Sequence, residues 1–205
     1  WAACVCPFLE FATRRAFCIT PGTLQTQPAL PSWSLQEKEF SLRCESGRLE
    51  FDLGAIGKGF ALDRMAEVLR EWDCQRFLLI AGGSSILAGA PPDDGADWDC
   101  GLGDDHSPKR FLLANVSLSG SGLAVKGRHI FDPRTGQPCA RHHRAWALAT
   151  TAAESDALST ACMILTPEEI NEVVQPNPDW LVFLQTEKNW CQLGHRPAPP
   201  GVIGQ

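Results

Sequence analysis

Hydrophobic and polar positions recur along this chain with two different periods. Leu62, Met65, Val68, Leu69 and Trp72 fall at helical spacing, and Asp63, Arg64, Glu67, Arg70 and Glu71 fill the other face. This predicts an amphipathic helix running to about Trp72, entered through Gly54, Gly57 and Gly59. A second helix is predicted over 154–165, where Ala157, Leu158, Ala161, Met163, Ile164 and Leu165 are available to pack, and a short third over 167–174. Short apolar runs bounded by turn residues predict strands at 76–81, 86–90, 111–118 and 145–150, the first of them continuous enough to be buried. One hairpin is predicted between 40–44 and 48–52 around Glu45, Ser46 and Gly47, and a closing one between 181–185 and 190–193. His129, Ile130 and Phe131 read as a short strand that ends in a proline turn from Asp132 to Gly136. Residues 7–15 suit a short helix, and 20–34 a loop marked by Pro21, Pro28 and Pro31. Mixed strands with a few helices predict one layered α+β domain over 35–195, after an irregular segment 1–34 and before a Pro/Gly-rich tail 196–205.

Composition narrows the function classes. A hydrophobic content of 44% and a charged content of 20% in 205 residues are ordinary for a globular chain. The net charge of −6, without any basic run, argues against a nucleic-acid surface. No stretch of about 18 apolar residues occurs, so no transmembrane segment is predicted. The chain starts at Trp1 rather than Met, so the lack of a visible leader carries no weight. Nine cysteines are scattered without a CxxC pair, which argues against structural zinc and for reduced thiols used as small buried hydrophobes.

The candidate chemistry is hard-oxygen chemistry. Gly54, Gly57 and Gly59 lie ahead of a helix N-terminus, where free N–H groups and a partial positive charge suit phosphate, and Lys58 adds a full charge. Neither the P-loop nor the GxGxxG fingerprint fits: Asp52 stands five before Gly57, Gly59 follows Lys58, and Leu62 follows Ala61. Asp156 and Thr160 are four apart on a predicted helix, hence on one face. Their oxygens suit Mg²⁺, though an N-terminal helix aspartate and a packed threonine explain them equally simply. His129 is the natural acid/base candidate, or else a structural histidine at a strand end. Serine-glycine turns at 82–85 and 119–122 offer N–H and hydroxyl donors to an anion or a flavin ring, or act as plain connectors.

Four ordered motifs carry a family resemblance. The stretch DLGAIGKGFALD, Asp52 to Asp63, resembles the DLGxIAKGYAxD signature of the ApbE family, the FAD:protein FMN transferases. Ile80 to Ser84, then Leu118 to Gly120 with His129 to Gly136, then Glu154 to Thr160 follow in the family's order, the last two resembling its HIIDPRTG and ADALSTA strings. The likeness covers roughly residues 48–193. It implies transfer of FMN from FAD to a threonine or serine of a flavin-acceptor protein, with Mg²⁺ and release of AMP. It implies Asp156 and Thr160 as metal ligands, with backbone carbonyls of Gly57 and Ser159. Lys58 would lie near the pyrophosphate and Asp63 near the adenosine. Gly82, Gly83, Ser119 and Gly120 would line the flavin pocket, and His129 would activate the acceptor hydroxyl. Gly57 would then have to meet Asp156 across about a hundred residues of chain.

Three departures accompany the likeness. Ser84 stands where the family often has aspartate, and Gly57 stands for its alanine before the lysine. Only about fifty residues precede the first motif, where relatives carry a longer part that closes over FAD, and the chain has no tyrosine. Weaker or less complete FAD binding is therefore expected. Flavin binding without transfer, hydrolysis of FAD to AMP and FMN, and a purely structural domain stay open as other readings.

Overall fold

The computed structural model describes residues 32–39, 41–46, 53–92, 95–102, 109–123, 130–132, 134–135, 137–139, 141–186 and 190–194. A six-stranded sheet forms the centre. Its members are β3 (Leu78–Ala81), β4 (Ser85–Ala88), β7 (Val116–Gly122), β10 (Arg144–Ala149), β11 (Leu181–Gln185) and β12 (Trp190–Leu193). The order is β12-β11-β10-β7-β4-β3, with every pair antiparallel. Among the described residues, three hairpins lie outside it. These pair β1 (Ser32–Gln36) with β2 (Ser41–Ser46), β5 (Trp98–Leu102) with β6 (Lys109–Leu113), and β8 (Phe131–Asp132) with β9 (Gln137–Pro138).

Alternation along the strands gives the sheet two buried faces. On β10, Ala145, Ala147 and Ala149 face one way and Trp146 and Leu148 the other, all nearly inaccessible. The alanine face packs under helix α2 (Ala152–Cys162), joined by Val182 and Leu184 of β11. The other face packs Ile86, Leu118, Trp146, Leu148 and Phe183 with Cys100, Phe111 and Leu113 of the β5–β6 hairpin. Covering both faces is what makes these strands read as continuous apolar runs. Leu118 and Leu148 are completely buried, each worth roughly 1.5–3 kcal/mol.

Helix α1 (Gly57–Glu71) packs on α2 and against β3 and β4. Its buried positions are Gly59, Leu62 and Ala66. The apolar face expected from the sequence is thus rotated: Met65, Val68 and Trp72 stay exposed, as does Phe60. Small residues are selected because the neighbouring helix comes very close. A Cβ on Gly59 would sit 2.0 Å from the Ala152 carbonyl oxygen. Gly57 and Gly59 lie within the first turn of α1 rather than ahead of it, and only Gly54 belongs to the preceding turn.

Other boundaries also moved. Ser32–Ser34, expected as loop, are strand and pair with β2, whose expected partner stretch 48–52 lies outside the described residues. The 76–81 run ends in β3, an edge strand with Ile80 58% exposed, not a buried one. The 111–118 run is two strands, broken where Asn115 takes φ 52. Residues 119–122 are the end of β7, not a turn. Helix α2 starts two residues earlier than expected because Thr151 and Glu154 form a capping box, and α3 (Pro167–Val174) is capped the same way by Thr166 and Glu169. Among the described cysteines, all free, Cys100 and Cys162 are buried but Cys74 and Cys191 are exposed. Burial raises the Cys100 thiol to about 11, with Asp99 adding to the rise. No helix among the described residues is long and apolar enough to cross a membrane. The expected helix at 7–15 and the tail from 196 lie outside the described residues.

Candidate functional site

The site lies where α1 and α2 begin beside each other over the sheet. Each helix caps the other. Asp63 of α1 accepts the N–H groups of Ala152 and Ala153, both at 2.8 Å, which satisfies two of the free donors at the start of α2. In return, Asp156 of α2 accepts the Gly59 N–H of α1 at 3.1 Å. Ile56 precedes α1 and makes no side-chain cap, so the carboxylate from the distant helix takes that role.

Asp156 is the centre of the arrangement. It is 1% exposed, yet four donor contacts reach its carboxylate. The Lys58 ammonium lies 2.8 Å from Oδ1 and 3.2 Å from Oδ2. Ser85 Oγ donates to Oδ1 at 3.1 Å, and the Gly59 amide takes Oδ2. A buried carboxylate without a counter-charge would be strongly unfavourable, so this lysine is what makes its burial tolerable.

The Lys58 stem runs past the turn between β3 and β4. Gly82 and Gly83 both take the left-handed conformation there, at φ +57 and +65. A Cβ on Gly82 would stand 3.3 Å from Lys58 Cδ, whereas one on Gly83 would meet nothing within 4 Å. Gly83 therefore borders open space. The Ser84 carbonyl accepts the Gly120 N–H at 2.7 Å, which ties this turn to β7.

A ladder of hydroxyls joins β7 to α2. Ser117, Ser119 and Ser121 alternate onto the helix-facing side of β7. Ser155 Oγ lies 2.7 Å from Ser117 Oγ and 2.9 Å from Ser119 Oγ. Ser121 Oγ lies 2.9 Å from Ser159 Oγ and 3.0 Å from Thr160 Oγ1. The Ser159 and Thr160 hydroxyls also donate to the Asp156 backbone carbonyl, at 3.0 and 3.2 Å. They sit one turn along α2 from the carboxylate, as the spacing requires.

The expected residues are therefore only partly brought together. Lys58, Asp156 and Gly82 converge, although 98 positions separate Lys58 from Asp156, and Gly57 opens α1 beside Lys58. Ser159 and Thr160 lie on the same helix, facing the hydroxyl ladder. Asp63, set beside the adenosine by the resemblance, has both oxygens committed to α2. The Ser119 side chain is fully buried and bonded to Ser155, and Gly120 is half-buried. His129 lies outside the described residues. Sequence reasoning placed Ser85 and Ser121 in turns offering donors to a ligand and missed that they bind Asp156 and the α2 hydroxyls. The signal for Ser121 was present as Ser117, Ser119 and Ser121 at period two, but glycines between and after them suggested a turn.

The donor set bears on what cation could bind. Among the described residues, no three histidine, cysteine or acidic side chains cluster as metal ligands. A cation here would meet one carboxylate and neutral oxygens, which suits Mg²⁺ with its retained waters and substrate phosphates rather than zinc. The Asp156 carboxylate already holds one cation, the lysine ammonium.

A second carboxylate–cation pair in a motif segment is built differently. Asp132 Oδ1 accepts the Arg134 N–H and Nε, each at 2.9 Å, and Oδ2 accepts Nη2 at 2.8 Å. Arg134 Nη1 reaches Glu169 of α3 at 2.6 Å. The Arg134 side chain holds the Asp132 carboxyl below the usual carboxylate range, against burial. Glu169 is lowered chiefly by the Thr166 N–H it accepts, with Arg134 adding to the effect.

The model of the ApbE family matches residues 11–184. FAD:protein FMN transferase of Escherichia coli (strain K12) is 28% identical over 141 residues, covering 62% of this chain and 40% of that protein. The protein of that name from Haemophilus influenzae is 30% identical over 142 residues, again 62% and 40%. The chain thus spans about two fifths of the length of these curated relatives. The solved flavin transferase ApbE from Vibrio cholerae superposes with a TM-score of 0.66 at 22% identity, over 83% of this chain and 56% of that one. The ApbE protein from Thermotoga maritima gives 0.66 at 25% identity, over 78% and 56%. With the family model spanning most of its length, this chain belongs to the ApbE family.

Proposed function

We propose that this chain transfers FMN from FAD to a threonine or serine hydroxyl of an acceptor protein, with Mg²⁺, releasing AMP. The observation that carries the reading is the meeting of two motifs at one carboxylate. Lys58 and Gly59 from the first motif and Asp156 from the last share hydrogen bonds across 97 and 98 positions of chain. The Gly82 turn of the second motif flanks them.

Cleaving a pyrophosphate requires its negative charge to be neutralised as the phosphorus is attacked. Bound Mg²⁺ would supply that neutralisation, held by Asp156 and Thr160 with carbonyls of Gly57 and Ser159. This chain's own residues supply the rest. Lys58 offers an ammonium to the phosphate oxygens. The left-handed turn at Gly82 and Gly83 lets a flavin approach the backbone closely. Ser85 and the Gly59 amide keep the Asp156 carboxylate in one orientation. His129 takes the proton from the acceptor hydroxyl.

The test is incubation with FAD, Mg²⁺ and an acceptor protein that a full-length relative flavinylates. A covalently fluorescent acceptor band is expected, and AMP in equal amount. AMP without a labelled acceptor would turn the reading to FAD hydrolysis. Bound FAD without AMP would turn it to flavin binding alone.

A further inference from the structure

We infer that Lys58 is the resting counter-ion of Asp156, and that it exchanges places with the divalent cation, freeing its ammonium for the pyrophosphate only when the cation is bound. The inference rests on the FMN-transfer reading and adds an order of events to it.

Three observations carry it. First, the carboxylate does not need Lys58 to keep its orientation. Ser85 holds Oδ1 and the Gly59 amide holds Oδ2, and both are buried. Secondly, Lys58 is held from one end alone. Its ammonium has no hydrogen-bond partner among the described residues other than the two Asp156 oxygens, and its side chain is 34% exposed against 2% for Asp156. Thirdly, the stem passes over Gly82, with Gly83 bordering open space beyond. A lysine stem has four rotatable carbons and can swing there without moving backbone.

Electrostatics favours the exchange. The ammonium occupies the position between the two carboxylate oxygens that a cation on Asp156 would take. Two such charges a few ångströms apart repel, which disfavours both sitting on one carboxylate. Lys58 would thus protect Asp156 while the site is empty of metal, and would be released by the ion that its later role requires. Phosphate contacts from Lys58 would then depend on prior cation binding.

The test is limited acetylation of the intact wild-type protein by an N-hydroxysuccinimide ester, with and without Mg²⁺, read residue by residue by mass spectrometry. Lys38, Lys109, Lys126 and Lys188 serve as internal standards. Mg²⁺ binding is followed in parallel by calorimetry. Labelling of Lys58 should rise about tenfold on Mg²⁺ binding, with the other four unchanged. Lys58→Arg, whose fork grips both oxygens, should weaken Mg²⁺ binding about tenfold, while Lys58→Met should bind Mg²⁺ at least as tightly as wild type. Mg²⁺ binding with Lys58 labelling unchanged or reduced would overturn the exchange and leave the transfer reading standing. Absence of Mg²⁺ binding by wild type and both variants would overturn the exchange together with the metal part of that reading.

Discussion

Two carboxylates in motif segments each pair with a cation, and the pairs are built for opposite purposes. Asp132 meets Arg134 two residues away, through a backbone amide and a guanidinium that also grips Glu169. Every arm of that guanidinium engages a carboxylate, and the result fastens the turn after β8 to helix α3. Asp156 meets Lys58 from 98 positions away, through a single ammonium on a flexible stem. Its remaining contacts come from rigid groups, Ser85 and the Gly59 amide. A planar fork locks geometry, whereas a point charge can be traded for another. Under the proposed reading, the difference separates a structural clamp from a site that accepts a cation, although both lie in strings that mark the family.

The contrast can be broken at several points. The largest effect is expected at the floor of the site. Gly59→Ala drives a Cβ to 2.0 Å from the Ala152 oxygen, backbone that has no slack. The two helices must part, at a cost of about 3 kcal/mol or more, and both reciprocal caps fail with them. Urea unfolding should show the loss, and Mg²⁺ binding should vanish in the same variant. Asp156→Ala should come next. It leaves the Gly59 amide, Ser85 and Lys58 without their acceptor and should cost roughly 2–3 kcal/mol, less than a fully buried pair because Lys58 is partly exposed. Flavin transfer should be lost even at temperatures where the fold survives, which circular dichroism and acceptor fluorescence together would establish.

Ser85→Ala sharpens the comparison. It removes one hydrogen bond to a buried carboxylate and should cost about 1.5 kcal/mol. Because Ser85 orients the carboxylate, Mg²⁺ affinity should also fall several-fold in calorimetry. Arg134→Gln should cost a similar or smaller amount, about 1 kcal/mol at its partly exposed position, with Mg²⁺ affinity unchanged. A loss of Mg²⁺ binding in Arg134→Gln would collapse the distinction between the two pairs.

The smallest effect is the acid response of the clamp. The folded Asp132 carboxyl is lowered below its unfolded value, so its contribution is present above roughly pH 4 and is lost as pH falls through the folded value. Glu169 acts in the same direction. Melting temperatures of wild type and Asp132→Asn should therefore differ at pH 7 and converge towards pH 3. A gap that widened on acidification would reverse the assigned sign.

Much of this protein was legible in its residues alone, and the reason is local. Continuous apolar runs at 145–149 and 181–184, helical spacing of apolar positions, and glycine-serine punctuation are written into neighbouring positions. They identified the layered α+β class, the central strands and the three helices. The family strings pointed to Gly57, Lys58, Asp156 and Thr160 before any packing was known. What neighbours could not decide was which way each element faces. Met65, Val68 and Trp72 form as good a helical stripe as Gly59, Leu62 and Ala66, yet only the second is narrow enough for α2 to approach. The serines of β7 looked like a turn until the sheet on either side and α2 above turned them into a ladder. The partner of Lys58 belongs to the same category. Its charge and its place at a helix start were in the sequence. That it neutralises Asp156 follows only from two helices crossing at a glycine, because long-range contact is set by packing rather than by sequence separation.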